Sequence, residues 1–306
     1  MIIITAPVHD FLTETLTHKG LKFSLATDLD YDGLLSNIEQ ATGIIVSTHI
    51  DIDKRMIDRA VNLKWIGRVG SGMEHIDVAY AQEKNIICVS SPEGNSNAVA
   101  EFSLGLLLSL MRKIGKSAAE VAESKWLRAE NRGTELGGKV VGIIGFGNTG
   151  SRFAKLLSSF EVSILAYDKY KSGFGNEIVK ESNLDQIVKY ADVISFHVPI
   201  NESTYYMGNR AFFEQLKQKP FILNSSRGKV INTEDLIFAL TNQLISGAAL
   251  DVLENEHLNS YNELEKKNFE FLVQQKNVII TPHIAGYSKE ATYKMSRVLL
   301  EKLEII

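Results

Sequence analysis

Short apolar runs rich in isoleucine and valine recur along the chain, separated by stretches whose apolar residues return every three or four positions. In the first third the runs cover 2–6, 22–26, 43–47, 65–69 and 86–89, with helical periodicity at 11–19, 53–60 and 77–84. Strands alternating with helices predict βαβ units around a parallel sheet. Near residue 97 the rhythm changes. Asn97 is a candidate N-cap for a long helix through Val99, Phe102, Leu106, Leu107, Leu110 and Met111, its pattern continuing past Gly115 toward Trp126. A second series of strand runs follows at 139–144, 162–167, 192–197, 221–224, 246–251 and 278–281, and 289–303 reads as a closing helix. Runs this continuously apolar suit strands covered on both faces, and six of them complete a doubly wound dinucleotide-binding domain. The expected fold is α/β: two Rossmann-like, doubly wound parallel-sheet domains, the first being the smaller.

Composition narrows the function classes. The 306 residues are 44% hydrophobic and 23% charged, an ordinary globular balance. With 33 basic and 37 acidic side chains the net charge is −4, so no basic excess favours nucleic acid. The longest apolar stretch, 99–111, is interrupted by Glu101, Ser103 and Ser109 and is too short to span a bilayer. No basic segment precedes Lys19, so no secretory leader is expected. The single cysteine, Cys88, lies in an apolar run where a buried structural thiol is the first reading and a reactive thiol the second. These features point to a cytoplasmic protein.

The sharpest local signal is GIIGFGNTG at 142–150: an apolar strand, G-x-G-x-x-G, then a helical pattern over 151–160. Gly145 permits the tight turn, Gly147 lets the backbone approach a diphosphate, and Gly150 allows close helix–strand packing, while Asn148 and Thr149 open the helix whose N–H groups face the anion. Asp168 closes the next strand, 18 residues after Gly150, where an acid binds the ribose hydroxyls of NAD and repels a 2′-phosphate. Lys169 beside it reads as a solvated loop residue. The glycines of GRVGSG at 67–72 have other intervals; this turn after a strand either exposes N–H groups to a carboxylate or phosphate or is an ordinary loop.

Ligands of an open parallel sheet bind beyond the carboxyl ends of its strands. Arg227, Glu256 and His283 follow three different predicted strands and would all emerge at that edge, as would the candidate cofactor contacts His197, Pro199, Ser226, Asp251 and Gly286. Arg227 can clamp a carboxylate bidentately, His283 can exchange the proton of a reacting hydroxyl, and Glu256 can orient the imidazole. Beside a nicotinamide site this is a hydride-transfer device. Glu254 is close enough to rival Glu256. Seven histidines and one cysteine contain no H-E-x-x-H or paired metal-ligand spacing, so no metal is expected, and no G-x-S-x-G elbow supports a hydrolase.

At these residues the chain resembles the D-isomer-specific 2-hydroxyacid dehydrogenase family, through GRVGSGMEHID (67–77), NAVAEFSLGLLLSL (97–110), GKVVGIIGFGNTG (138–150), 197–199, NSSRG (224–228), AALDVLENE (248–256) and TPHIAGY (281–287). The resemblance implies a flavodoxin-like substrate domain from both chain ends, 1–96 and 287–306, and an inserted NAD-binding Rossmann domain, 97–286. It also implies a homodimer formed mainly through the nucleotide domains. It assigns Arg227 to the substrate carboxylate and carbonyl, His283 to acid–base transfer with Glu256 as partner, Gly70, Ser71 and Gly72 to the substrate carboxylate, and Asp251 to the nicotinamide carboxamide. The family's usual proline after the catalytic glutamate is replaced by His257, which puts the loop path in question. The glutamate argues against formate as substrate. The sequence ends soon after its final helix, so no regulatory domain like that of the longer phosphoglycerate dehydrogenases is expected.

The resemblance extends to short phosphoglycerate dehydrogenases and to hydroxypyruvate and glyoxylate reductases. Two function classes remain open at this point: an NAD-dependent dehydrogenase of small D-2-hydroxy acids, including an unregulated phosphoglycerate dehydrogenase, or an NAD-sensing corepressor-like binding protein. A phosphorylated substrate would call on further cations, for which His49, Arg68 and His75 are candidates.

Overall fold

The computed structural model describes residues Met1–Ile306 and divides into two compact units, Met1–Ala98 with Tyr287–Ile306, and Val99–Gly286. The first unit holds strands β1 (Ile2–Ile4), β2 (Phe23–Leu25), β3 (Gly43–Val46), β4 (Trp65–Arg68) and β5 (Ile87–Ser90). They form one parallel sheet in the order β2-β1-β3-β4-β5, the flavodoxin-like arrangement. The triple isoleucine of β1 shows why it lies inside the sheet, between β2 and β3. Ile2 and Ile4 pack with Leu12 and Leu16 of helix Asp10–His18 and Leu299 and Leu300 of helix Lys289–Lys302. Ile3 points to the opposite face, among Leu34, Ile38 and Met56. Each such buried aliphatic side chain contributes roughly 1.5–3 kcal/mol.

The second unit holds β6 (Val140–Ile144), β7 (Ser163–Tyr167), β8 (Val179–Glu181), β9 (Val193–Phe196), β10 (Phe221–Asn224), β11 (Gly247–Leu250) and β12 (Val278–Ile280). All pair in parallel in the order β12-β11-β10-β9-β6-β7-β8, so the crossover point lies between β6 and β9. Val141 and Ile143 of β6 join Phe153, Leu157, Leu107 and Leu110 in one core, while Ile144 faces Ile187 in the other. Gly142 lies under helix Leu184–Tyr190; a Cβ there would strike Ile187 and Ala191.

Four features differ from the sequence expectation. The long helix begins at Pro92, not at Asn97, which lies inside Pro92–Arg112. Proline is favoured at a first helical position because its φ is preset and its missing N–H would be orphaned there anyway. The helix does not run on toward Trp126: Lys113 takes a left-handed φ of 56°, a separate helix spans Ile114–Ala122, and Trp126 is 77% exposed. The second sheet has a seventh strand, β8, whose sequence Val179-Lys180-Glu181 buries only the valine and so leaves no apolar run. The helix expected over 151–160 starts earlier, at Asn148, and tightens to a 3-10 turn at Ser158–Phe160. No helix is long and apolar enough to cross a membrane.

Candidate active site

At the end of β6 the chain turns through Gly145, whose φ is +95°. A Cβ on Gly145 would strike the carbonyl of His197, and one on Gly150 would strike the carbonyl of Gly145. The glycines therefore let turn, helix and the β9 loop meet at backbone distance. Gly147 has open space where its side chain would be. It precedes helix Asn148–Leu157 as an N-cap without a capping side chain. The first-turn N–H groups and the positive end of the helix dipole suit a diphosphate placed over Gly147.

Asp168 is tied to this turn. One carboxylate oxygen accepts the N–H of Phe146 at 2.8 Å, the other the N–H groups of Tyr170 and Lys171 at 2.9 and 3.1 Å. Of the roughly four acceptor positions of a carboxylate, three serve the loop, which leaves about one for a ligand hydroxyl. Phe146 stacks on Phe174 with ring centroids 4.5 Å apart, and Glu181 of β8 accepts the N–H groups of Gly173 and Phe174. His197 is buried. Its Nε2 lies 2.8 Å from Ser195 Oγ and its Nδ1 3.3 Å from Thr149 Oγ1. Burial pushes its pKa down to about 4, so the ring is neutral and acts as a fixed post behind Thr149. Pro199 is exposed two residues on.

Three more strand ends carry the ionisable residues Arg227, Glu256 and His283. Asn224 ends β10, and its side chain shapes the next turn: Nδ2 donates to Arg227 O at 2.9 Å, while Oδ1 accepts from the N–H and Oγ of Ser226. Arg227 Nη1 donates to Ser226 O at 2.6 Å. Gly228 then touches the β11 loop so closely that a Cβ would collide with the Leu253 carbonyl.

His283 Nδ1 stands 2.9 Å from Glu256 Oε2, both side chains about half exposed. The hydrogen bond to Glu256 raises the pKa of His283, against burial, which lowers it; the charges of Glu256 and Asp251 add to the rise and that of Arg227 opposes it. Burial alone would raise Glu256, but the hydrogen bond and charge of His283, a Leu253 backbone bond and the Arg227 charge together hold it below the usual carboxylate value. Arg227, Glu256 and His283 thus form one electrostatic group.

The backbone of His283 is left-handed, with φ 55°, which costs a non-glycine residue about 1–2 kcal/mol. Asp251, fully buried, holds it there. Its carboxylate accepts from Thr281 Oγ1 at 2.6 Å and from the N–H groups of Ile284 and Ala285 at 3.0 and 2.7 Å, and its carbonyl accepts the N–H of His283. Gly286 closes this turn. Asn224, Gly228 and Thr281 lie inside motifs legible in the sequence, but their anchoring contacts are not legible there; Asp251 and Thr281 are 30 residues apart and leave no local signal. Glu254, the rival to Glu256, is bound instead to Tyr206 and to the N–H of Thr233.

In the first unit, Gly70 has φ +139° and its N–H is committed to Ser91 Oγ at 3.1 Å, while Ser71 Oγ donates to Asn95. His75 pairs with Asp51 at 2.6 Å and His49 with Ser47 at 2.6 Å. Cys88 is half-buried, and burial pushes its thiol up to about 11, which makes it a poor nucleophile.

Comparison with known proteins gives a consistent picture. The family described as D-isomer specific 2-hydroxyacid dehydrogenase, NAD binding domain, matches residues 104–285. The chain is 33% identical over 300 residues to a hydroxypyruvate reductase of Thermotoga maritima, covering 98% of this chain and 96% of that protein. It is 31% identical over 304 residues to a D-3-phosphoglycerate dehydrogenase of Archaeoglobus fulgidus, covering 99% of this chain and 56% of that protein, so it spans only about half the length of such relatives. The crystal structure of a D-lactate dehydrogenase from Aquifex aeolicus, complexed with NAD and lactic acid, matches with a TM-score of 0.87 at 27% identity, covering 99% of this chain and 94% of that one.

Proposed function

The chain belongs to the D-isomer-specific 2-hydroxyacid dehydrogenase family, and from that premise we propose that it interconverts a small D-2-hydroxy acid and the corresponding 2-keto acid with NAD. The observation that carries this reading is the His283–Glu256 pair at 2.9 Å within the charge of Arg227, on the sheet whose β6 turn is built for a diphosphate. Gly145, Gly147, Asn148, Thr149 and Gly150 would hold that diphosphate. Asp168 would take a ribose hydroxyl, and Asp251, Ser226, His197, Pro199 and Gly286 would border the nicotinamide half. Bound NAD supplies the redox half of the reaction, a hydride given to or taken from C2 of the substrate.

The protein's residues supply the rest. The guanidinium of Arg227 binds the substrate carboxylate and draws electron density from the neighbouring carbonyl, so that negative charge developing on oxygen is stabilised. His283 Nδ1 is engaged by Glu256, which leaves Nε2 to give a proton to that oxygen in reduction and to take one from the hydroxyl in oxidation. Glu256 favours the imidazolium form. The turn at Gly70, Ser71 and Gly72 is proposed to bind a carboxylate; with the Gly70 N–H committed to Ser91, Ser71 and Gly72 carry that role.

We further propose a cytoplasmic homodimer. Ile114, Val121, Trp126 and Leu127 are exposed apolar side chains within 14 residues of the second unit, a surface that a second copy would cover. The test of function is a panel of hydroxypyruvate, glyoxylate, pyruvate, phenylpyruvate and 3-phosphohydroxypyruvate, followed by loss of NADH absorbance. We expect turnover of at least one. NADH binding with no turnover of any 2-keto acid would leave a nucleotide sensor as the function.

A further inference from the structure

One tyrosine touches both loops that carry Arg227 and Glu256. Tyr206 donates its backbone N–H to the carbonyl of Lys229, two residues after Arg227, at 2.8 Å. Its hydroxyl donates to Oε2 of Glu254, two residues before Glu256. The other oxygen of Glu254 accepts the N–H of Thr233 at 2.6 Å, at the start of helix Thr233–Thr241. A carboxylate there is favoured by the helix dipole as well as by its two donors. The backbone of Tyr206 is left-handed, with φ 50°, a conformation that persists in a bulky residue only where its surroundings over-determine it. Beyond Glu254 the same loop is staked again: Tyr261 Oη donates to Asn255 O at 2.8 Å, and the Asn255 amide donates to Glu265 at 3.1 Å. Glu256 itself is half exposed, so its position is set by these neighbours rather than by burial.

We infer that Tyr206 and Glu254 are positioning residues, a clip that joins the Arg227 loop to the Glu256 loop and holds Glu256 at hydrogen-bond distance from His283. The two glutamates of Glu254-Asn255-Glu256 then have separate tasks, the first facing the scaffold and the second facing the imidazole. The inference rests on the acid–base reading of His283 and Glu256 given above.

The test uses the full chain with NADH and a 2-keto acid that it reduces, comparing Tyr206→Phe, Glu254→Ala, Glu254→Gln and, as control, Glu256→Gln. Tyr206→Phe removes only the hydroxyl and keeps the ring. We expect Tyr206→Phe and Glu254→Ala to lower kcat/KM about tenfold, as follows from losing a hydrogen bond to a charged group. In both, the alkaline limb of the pH profile should move to lower pH while NADH affinity stays that of the wild type. Glu254→Gln should recover most of the loss, because its amide oxygen still accepts the Thr233 N–H and its NH2 can donate to the hydroxyl oxygen of Tyr206. A lowered Tm with a wild-type pH profile in both Tyr206→Phe and Glu254→Ala would overturn the inference and leave a merely structural contact. If Glu256→Gln moves the limb and those two do not, the clip alone is wrong. If Glu256→Gln does not move it either, the acid–base reading fails and the inference falls with it.

Discussion

The turn after β6 and the edge formed by the loops after β10, β11 and β12 belong to one sheet but are built on opposite principles. The β6 turn is a backbone device. Its glycines are 145, 147 and 150, the groups it would present to a ligand are N–H groups, and its one charged member, Asp168, is largely occupied in holding the turn itself. The other edge is a side-chain device. Arg227, Glu256 and His283 come from three loops, and each loop is held by its own anchor: Asn224 behind Arg227, Glu254 behind Glu256, Asp251 behind His283. A backbone device tolerates no added atoms; a side-chain device tolerates no lost anchors. Substitutions can separate the two.

The largest effect is expected at His283. His283→Ala should lower kcat in both directions by about a hundredfold to ten-thousandfold, the usual size of a general acid–base contribution, with NADH binding retained because the β6 turn is untouched. Turnover near wild type would remove the proton role from this edge. Arg227→Lys comes next. A point charge cannot reproduce the guanidinium fork, and losing a charged hydrogen bond costs about 2 kcal/mol, roughly thirtyfold in kcat/KM. The loss should appear in both the KM of the keto acid and kcat, because Arg227 is assigned both to the carboxylate and to the charge developing on the carbonyl oxygen, and kinetics close to wild type would take Arg227 out of substrate recognition.

On the backbone side, Gly150→Ala drives a methyl group into the Gly145 carbonyl. Overpacking of this kind costs about 1–3 kcal/mol, which should weaken NADH without moving the pH profile. Unaltered NADH affinity would show that the turn can yield. On the proposed function the same turn would set cofactor choice. Asp168 should favour NAD over NADP by about 1–3 kcal/mol through lost hydrogen bonds and repulsion of the 2′-phosphate, and equal kcat/KM with both cofactors would defeat that assignment.

The contrast also explains what was legible in the sequence. A backbone device is written consecutively, so G-x-G-x-x-G and the aspartate after the next strand could be read directly. The parallel sheets were legible because their central strands are apolar on both faces; β8 was not, because a three-residue edge strand with one buried valine carries no period. Arg227, Glu256 and His283 were legible as polar residues after three strands and, through the family resemblance, as a group with assigned roles. The contacts that anchor them were not, because a contact such as Thr281–Asp251 depends on two loops closing in space. The start of the long helix was misplaced for a local reason: Asn97 has capping chemistry, but Pro92 already stands where a helix can begin.

The smallest effect tests the fine tuning of the side-chain edge. His283 is held above the ordinary imidazole value, foremost by its hydrogen bond to Glu256. Reduction requires the imidazolium, so its rate should fall as pH rises through this raised pKa; oxidation requires the neutral ring and should rise over the same range. In Glu256→Gln the carboxylate charge is gone, and the pKa of His283 drops. The alkaline limit of reduction then moves to lower pH, and oxidation extends to lower pH. Stability follows the same linkage. The raised His283 contributes folded stability fully below the unfolded imidazole pKa and loses it as pH rises through the folded value. The depressed Glu256 contributes above the unfolded carboxylate pKa and loses it as pH falls through its folded value. The pair therefore stabilises the fold between the ordinary carboxylate and imidazole ranges, and Glu256→Gln should flatten that window slightly, both groups being half exposed. The measurement is kcat/KM against pH in both directions, with Tm against pH alongside. Profiles that coincide with the wild type in both directions would mean that Glu256 does not tune His283, and the 2.9 Å contact would then be geometric only.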